Sequence, residues 1–329
     1  MATTQTGVRG RNETSRKSMG YASETLLWLL TSFSLPIEGT ASLGTLGVKK
    51  YRILILMHEA DERSGYGPFA IDLLARLWEQ DGHRVTRVYG TRRFIPGDVV
   101  IVHVDLSVVP DAYMEFAMRY PVAINGQLRD VRKSVISRQL VGPRDGYDGP
   151  VIVKTDRNYG GIPEKVRQHP GLFDKALRAI DRKLRGIRGM YRVYEHPRLV
   201  PSELFRDPDY VVERFLPELD QVGNYCLRTH IFLCKRSTSL LLRAREPVVS
   251  AANACSVEMV EEHPDIAQLQ QQLHIEYGKL DYVVHDGRLT LLDVNKTVGV
   301  SPPALDVDGL ENQRRHRAEG LYELLAERL

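Results

Sequence analysis

Residues 281–295 read Asp281-Tyr282-Val283-Val284-His285-Asp286-Gly287-Arg288-Leu289-Thr290-Leu291-Leu292-Asp293-Val294-Asn295. Two apolar runs flank a turn-forming His-Asp-Gly, the pattern of a β-hairpin. Asp293 and Asn295 lie two apart and share one strand face. The direction of Asp281 depends on the loop. A two-residue loop turns it to the opposite face. A three-residue loop, His285 to Gly287 with Gly287 in the left-handed position, sets Asp281 opposite Leu291 and diagonal to Asp293, roughly 7–8 Å away at the backbone. The three-residue loop is the reading that brings the acids together. Two carboxylates and an amide oxygen then form a donor set suited to Mg2+ (or Mn2+), whose remaining shell is phosphate and water. Asp281, Asp293 and Asn295 are therefore the candidate metal ligands. Either acid alone is an ordinary solvated hairpin residue.

Moving outward, Val151-Ile152-Val153-Lys154 is a short apolar strand ending in a lysine and leading into Asn158-Tyr159-Gly160-Gly161. A lysine there meets phosphate as a point charge, and a loop carrying Gly160 and Gly161 allows close backbone approach. Tyr210-Val211-Val212-Glu213 is a strand that exits through Arg214-Phe215-Leu216-Pro217-Glu218. Such an exit suits a linker whose backbone reads an adenine edge, with Glu218 or Asp220 accepting from ribose hydroxyls. Tyr225 to Leu233 and Ser239 to Arg245 read as a hairpin with Cys234 to Thr238 as its turn. Arg228 and His230 share one face of its first strand, and Arg243 and Arg245 share a face of the second. Arginines on a sheet that also holds carboxylates make a mixed-charge floor for a transferring phosphoryl group. The plain alternative is a surface ion-pair network.

The N-terminal half has a different rhythm. Arg52 to Met57 is a continuous apolar run, read as a buried parallel strand. A helix to about Gln80 and strands at Arg84–Tyr89, Val99–Val104 and Val122–Ile124 follow, which is the alternation of an open α/β unit. Gly65-Tyr66-Gly67-Pro68-Phe69-Ala70 matches the dinucleotide-binding spacing, but Val88-Tyr89-Gly90-Thr91 offers no ribose-binding acid. A nicotinamide enzyme is accordingly a minor alternative. The 45 basic and 42 acidic residues are dispersed, and the dense run from Lys175 to Arg192 alternates with Leu, Ile and acids. That reads as a solvated helix over about 171–186 and not as a nucleic-acid surface. Three cysteines, Cys226, Cys234 and Cys255, without a CxxC pair argue against a disulfide framework or structural zinc and favour a reducing compartment. Residues 1–50 form a polar, basic extension with a short apolar stretch around Leu26 to Leu30. The stretch is too short to span a bilayer, and a secretory signal is a minor alternative.

The order Lys133, Lys154, Glu213, Glu218, Arg228, Arg243, Asp281, Asp293, Asn295 resembles that of the ATP-grasp family, from about residue 51 to 329. The ribosomal-protein-S6 glutamate ligase and glutathione synthetase branches look nearest. The resemblance implies a combined α/β and α+β fold: a Rossmann-like N-terminal domain (51–126) and two α+β subdomains (127–210 and 211–329) gripping ATP. It implies Lys133 and Lys154 as nucleotide lysines, and Glu213, Phe215 and Leu216 at the adenine linker. Glu218 becomes the ribose acid, and Arg228 and Arg243 the arginines that face the phosphates and an acyl phosphate. Asn253 resembles a polar position between those strands and the metal hairpin. Asp293 departs from the usual Glu, and Lys296 stands where a small residue is usual. The activity implied is a cytoplasmic, ATP- and Mg2+-dependent ligase that joins the carboxylate of a small acid or peptide to an amine, or to a thiol, through an acyl phosphate, with no nucleic-acid or membrane partner; the family also suggests a homodimer. A nucleotide sensor and a small-molecule kinase on the same scaffold are the rival readings.

Overall fold

The computed structural model describes residues 49–64, 69–168, 191–300 and 309–329. The N-terminal extension, Gly65 to Pro68 of the glycine motif and the basic helix expected over 171–186 lie outside the described residues. No helix among the described residues is long and apolar enough to cross a membrane.

β1 (Arg52–Met57) is buried from its second residue onward, as its unbroken apolar run requires. A short helix α1 (Asp61–Ser64), then α2 (Ala70–Gln80), β2 (Arg84–Tyr89), β3 (Val99–Val102), α3 (Asp111–Ala117) and β4 (Val122–Ile124) complete the first unit. Its four strands are parallel in the order β2-β1-β3-β4. Alternation along β1 divides the core in two. Ile53, Ile55 and Met57 pack with Ile71, Leu74 and Trp78 of α2. Leu54 and Leu56 pack with Val100, Val102, Tyr113 and Phe116.

Lys133–Ile136 forms one helical turn, α4, before β5 (Val151–Thr155). A 3-10 turn (Asn158–Gly161) runs into α5 (Ile162–Gln168). With β6 (Arg192–Tyr194) and β7 (Tyr210–Arg214), β5 makes a three-stranded antiparallel sheet in the order β6-β5-β7. Val151, Val153 and Val212 fill its core face. The register sets Ile152 opposite Glu213 and Lys154 opposite Val211, so these four share the other face.

The third sheet is antiparallel, in the order β11-β10-β9-β12-β13, with β8 (Glu218–Leu219) added beside β9. Its strands are β9 (Tyr225–Leu233), β10 (Arg236–Ala244), β11 (Ser256–Val260), β12 (Tyr277–His285) and β13 (Arg288–Asn295), and α6 (Ile266–Leu273) lies between β11 and β12 in sequence. Both hairpin turns are shorter than the sequence reading has them. The β9–β10 turn is Cys234-Lys235, with Leu233 opposite Arg236 and Cys234 in the left-handed region at φ 55°. The β12–β13 turn is Asp286-Gly287, with His285 opposite Arg288 and φ values of 50° and 73°, the two left-handed residues of a type I′ turn.

The last helix, α7 (Leu310–Arg328), returns to the N-terminal unit. Ala318, Leu321 and Leu325 join the core of Trp78, Leu233 and Tyr277, and Trp78 Nε1 donates to Ala318 O at 3.0 Å. Asn125, left-handed at φ 59°, fastens the end of β4 to β12: its Nδ2 donates to Tyr277 O at 2.8 Å, and its Oδ1 accepts from Glu276 N at 3.0 Å. The parallel sheet and the large antiparallel sheet therefore share one core.

Two outcomes test this packing. A Cβ on Gly320 of α7 would lie 2.3 Å from Leu233 O. Gly320→Ala should destabilise the protein in urea unfolding, although Ala is the better helix former by about 1 kcal/mol; an unchanged or higher midpoint would contradict the close approach. His103 and His230 are buried, and burial pushes both imidazoles down to about 4 from 6.5. Below pH 6.5 the unfolded chain takes protons that the native rings refuse. Stability should therefore fall as pH drops from 6.5 toward 4, by up to roughly 3 kcal/mol per ring. Denaturant titrations at several pH values check this, and His103→Phe should flatten the slope.

Candidate nucleotide and metal site

The parity of the metal hairpin is settled by a bulge. Tyr282 pairs with Leu291, but Asp281 pairs with Asp293, so Leu292 is an extra residue in β13. The two-residue turn alone would have set Asp281 and Asp293 on opposite faces, and the bulge brings Asp293 and Asn295 round to the face of Asp281. Asp281 is thus directly opposite Asp293, where the three-residue loop had it diagonal. Lys279 lies opposite Asn295, and Lys279, Asp281, Asp293 and Asn295 share one face. Thr229 of β9 stands opposite Asp281 on the same face and donates its hydroxyl to Asp281 Oδ1 at 2.7 Å.

Each of these acids has an ammonium beside it. Lys279 Nζ lies 2.6 Å from Asp281 Oδ2. Burial opposes the charge on Lys279, but Asp281, together with Tyr159 and Asp293, outweighs it, and the amine is raised to about 12. Lys133, buried at the start of α4, places Nζ 2.9 Å from Asp293 Oδ1 and donates to Asn158 Oδ1 at 3.1 Å. Burial again works against the ammonium, and Asp293 again more than offsets it, holding the pKa above the ordinary lysine value. The Lys133–Asp293 contact is a close ion pair that is not aligned as a hydrogen bond, and Asp293 Oδ1 is buried. Asn295 Oδ1 accepts from Thr297 N at 2.9 Å.

The three-stranded sheet presents its polar face to this hairpin. Lys154 Nζ pairs with Glu213 Oε2 at 2.7 Å, both groups buried, and donates to Leu292 O at 3.4 Å. The carbonyl of the bulged residue thus touches the lysine of the opposing sheet. Asn158 Nδ2 donates to Val294 O at 2.8 Å. Glu213 Oε1 is a second buried acceptor without a partner. Tyr159, Gly160 and Gly161 follow with three successive positive φ values of 50°, 64° and 68°. Lys133, Lys154, Glu213, Asp281, Asp293 and Asn295 are therefore drawn to one cleft between two sheets, with Gly160 and Gly161 in the turn beside Asn158.

Other candidates go elsewhere. Arg228 lies opposite Tyr282 and Arg243 opposite Cys226, on the face turned away from Asp281. On the carboxylate face β9 and β10 present Leu227, Thr229, Leu240 and Leu242. Arg228 is engaged by Glu218, with Nε to Oε1 at 2.9 Å and Nη2 to Oε1 at 2.7 Å, and Glu218 Oε2 also accepts from Val284 N at 2.6 Å. Arg243 pairs with Glu258 at 2.6 Å. The mixed-charge floor expected from the sequence is thus not formed by these arginines, because the β9–β12 register places them one residue out of phase with Asp281. In the linker, Phe215 N donates to Pro150 O at 2.8 Å, and Leu216 follows it toward Glu218. Asn253 closes a local turn, accepting from Ser250 N at 2.8 Å and donating to Val248 O at 2.9 Å.

Sequence reading missed Lys279, Thr229 and Asn158. Lys279 carried a signal, since it precedes Asp281 by two on the same strand and shares its face. Lys296 is buried and donates to Leu106 O, with burial pushing its amine down to about 8. Near it, His58, Leu106, Val108, Arg157, Glu164 and Arg167 line a cavity of about 310 Å³. It opens past the carboxyl ends of β1 and β3, where the strand order reverses and ligands of open α/β sheets bind.

One parallel sheet followed by two antiparallel sheets gives the combined α/β and α+β class expected from the sequence. No family model matches the chain, and no curated protein matches it. Among solved structures, it is similar to D-alanine–D-alanine ligase from Bacillus anthracis complexed with ATP, at 10% identity over 84% of this chain and 97% of that one, with a TM-score of 0.43. A RimK domain protein ATP-grasp from Sphaerobacter thermophilus is similar at 12% identity, covering 84% of this chain and 99% of the other, with a TM-score of 0.42. Macrocyclase MdnB from Microcystis aeruginosa is similar at 12% identity, covering 83% and 99%, with a TM-score of 0.41.

Arg228→Met should lower stability by about 1–3 kcal/mol, because Glu218 loses its charged partner while half enclosed. Chemical denaturation checks this, and wild-type stability in the variant would contradict the bidentate pair.

Proposed function

We propose that the chain is an ATP- and Mg2+-dependent ligase that joins a carboxylate to an amine, or to a thiol, through an acyl phosphate. The observation that carries this reading is the pairing of Asp281 with Asp293 on one strand face, with Asn295 beside them and Lys133, Lys154 and Glu213 across the cleft. Hard oxygen donors, with Asp293 Oδ1 making no aligned hydrogen bond, fit Mg2+, which when bound would neutralise charge on the triphosphate. Asp281, Asp293 and Asn295 would hold it.

The chain's own residues supply the rest by position and charge. Lys133 and Lys154 turn to the phosphates. Glu213, with Oε1 open, accepts from the adenine amino group beside the Phe215–Leu216 linker. Gly160 and Gly161 let the 158–161 turn close on the phosphates. Lys279 takes the place on the carboxylate face that Arg228 and Arg243 do not occupy. A substrate carboxylate oxygen attacks the γ-phosphorus and ADP leaves; an amine then attacks the acyl carbon, phosphate leaves and the amine loses a proton. The cavity lined by His58, Arg157 and Arg167 is where a small acid would sit. Three free cysteines and an ATP requirement suit the cytoplasm.

Thermal unfolding with Mg2+-ATP, with ATP and chelator, and with NAD is the first test. Ligand at a hundred times its dissociation constant adds about 2.7 kcal/mol of apparent stability. Mg2+-ATP alone should raise the midpoint, and Asp293→Asn should remove most of the rise. A screen of small acids with hydroxylamine should then release ADP and form hydroxamate. ADP release without hydroxamate would favour a kinase, binding without turnover a sensor, and no response to Mg2+-ATP would overturn the reading.

A further inference from the structure

Four of the five donor oxygens of the candidate metal set already have an internal neighbour, Asp293 Oδ2 being the exception. Asp281 Oδ2 has Lys279 Nζ at 2.6 Å, Asp281 Oδ1 has the Thr229 hydroxyl at 2.7 Å, Asp293 Oδ1 has Lys133 Nζ at 2.9 Å, and Asn295 Oδ1 has Thr297 N at 2.9 Å. The two carboxylates and the two ammoniums cancel. We propose that Lys133 and Lys279 are built-in counter-ions that keep this site closed to free divalent cations until a nucleotide draws them off. The proposal rests on the nucleotide reading above.

The reasoning is electrostatic. A dication arriving alone meets a site of zero net charge. To bridge Asp281 Oδ2 and Asp293 Oδ1 it must push aside two ammoniums, and the Lys133 side chain is only 3% exposed, with nowhere in solvent to retreat. Removing one partner of a buried pair is expensive unless another partner replaces it. A triphosphate is that replacement. Lys133 also donates to Asn158, whose backbone lies in the 158–161 turn, so one movement of this lysine toward phosphate frees Asp293 and loosens the turn together. Lys279 has a side chain 26% exposed and faces the same cleft, so it is the second to swing. Metal and nucleotide then bind with positive coupling, and by linkage each must raise the other's affinity by the same factor.

The test counts Mn2+ bound to the full chain by electron paramagnetic resonance, with and without the non-hydrolysable analogue adenosine 5′-(β,γ-imido)triphosphate. Wild-type protein should bind Mn2+ at least about a hundredfold more tightly with the analogue, at the upper end of ordinary coupling. Lys133→Met and Lys279→Met should each gain at least about tenfold in affinity for Mn2+ alone, and Mn2+ alone should raise their thermal midpoints. Wild-type binding of Mn2+ that is equal with and without the analogue, or folded variants that gain nothing, would overturn the counter-ion role while leaving the nucleotide site intact. Failure of the analogue to bind with Mn2+ present would overturn both. If either variant does not fold, the wild-type comparison decides alone.

Discussion

One extra residue in β13, Leu292, sets the geometry of the whole cleft. Side chains alternate along a strand, so a shift of one residue exchanges the two faces of a hairpin. With its tight Asp286-Gly287 turn, an unbroken β12–β13 ladder would set Asp281 opposite Leu292 and turn Asp293 and Asn295 to the face of Leu280 and Tyr282. The bulge brings Asp293 and Asn295 onto the face of Asp281, where the two acids meet side by side. The same residue gives its carbonyl to Lys154 of the opposing sheet, so the bulge both aims the carboxylates and touches the lysine they face. β-Bulges elsewhere serve to re-aim side chains beside active sites.

Around that hairpin the cleft is held by charge rather than by packing. Lys154 with Glu213, Lys133 with Asp293, and Lys279 with Asp281 are close ion pairs, each wholly or partly buried. Such pairs contribute little net stability compared with apolar replacements, yet losing one member is costly. A cleft built this way is fixed in geometry, and under the proposed function its lysines exchange partners when a triphosphate enters. Apolar contacts are kept behind it, in the valine face of the small sheet and in the shared core of α2, α7, β9 and β12.

Much of this was legible in the residues. The apolar run at β1, the strand–helix alternation after it and the hairpin at 281–295 gave the element order, because burial on both faces and period-two alternation leave plain traces. Lys154, Glu213, Asp281, Asp293 and Asn295 stand out by strand position and spacing, Lys133 only through the resemblance, and the fold brings these side chains near one another. Turn lengths were misjudged, since Cys234 and Asp286 adopt left-handed conformations that their identities only weakly favour. The meeting of Asp281 and Asp293 was reached by a loop one residue too long, which cancels against a bulge that no local pattern announces. Arg228 and Arg243 were misplaced for a related reason: their face relative to Asp281 is fixed by the register between β9 and β12, a long-range property. Lys279 was readable by parity and was overlooked.

The account stands on where the carboxylate face points. Anomalous diffraction from crystals grown with Mn2+ and a non-hydrolysable ATP analogue tests it most directly. The account requires Mn2+ between Asp281 and Asp293 with Asn295 in its shell, the phosphates reaching Lys133 and Lys154, and Arg228 still on Glu218. Metal bound on the opposite face, beside Arg228 and Glu218, or no metal near Asp293 at all, would contradict it.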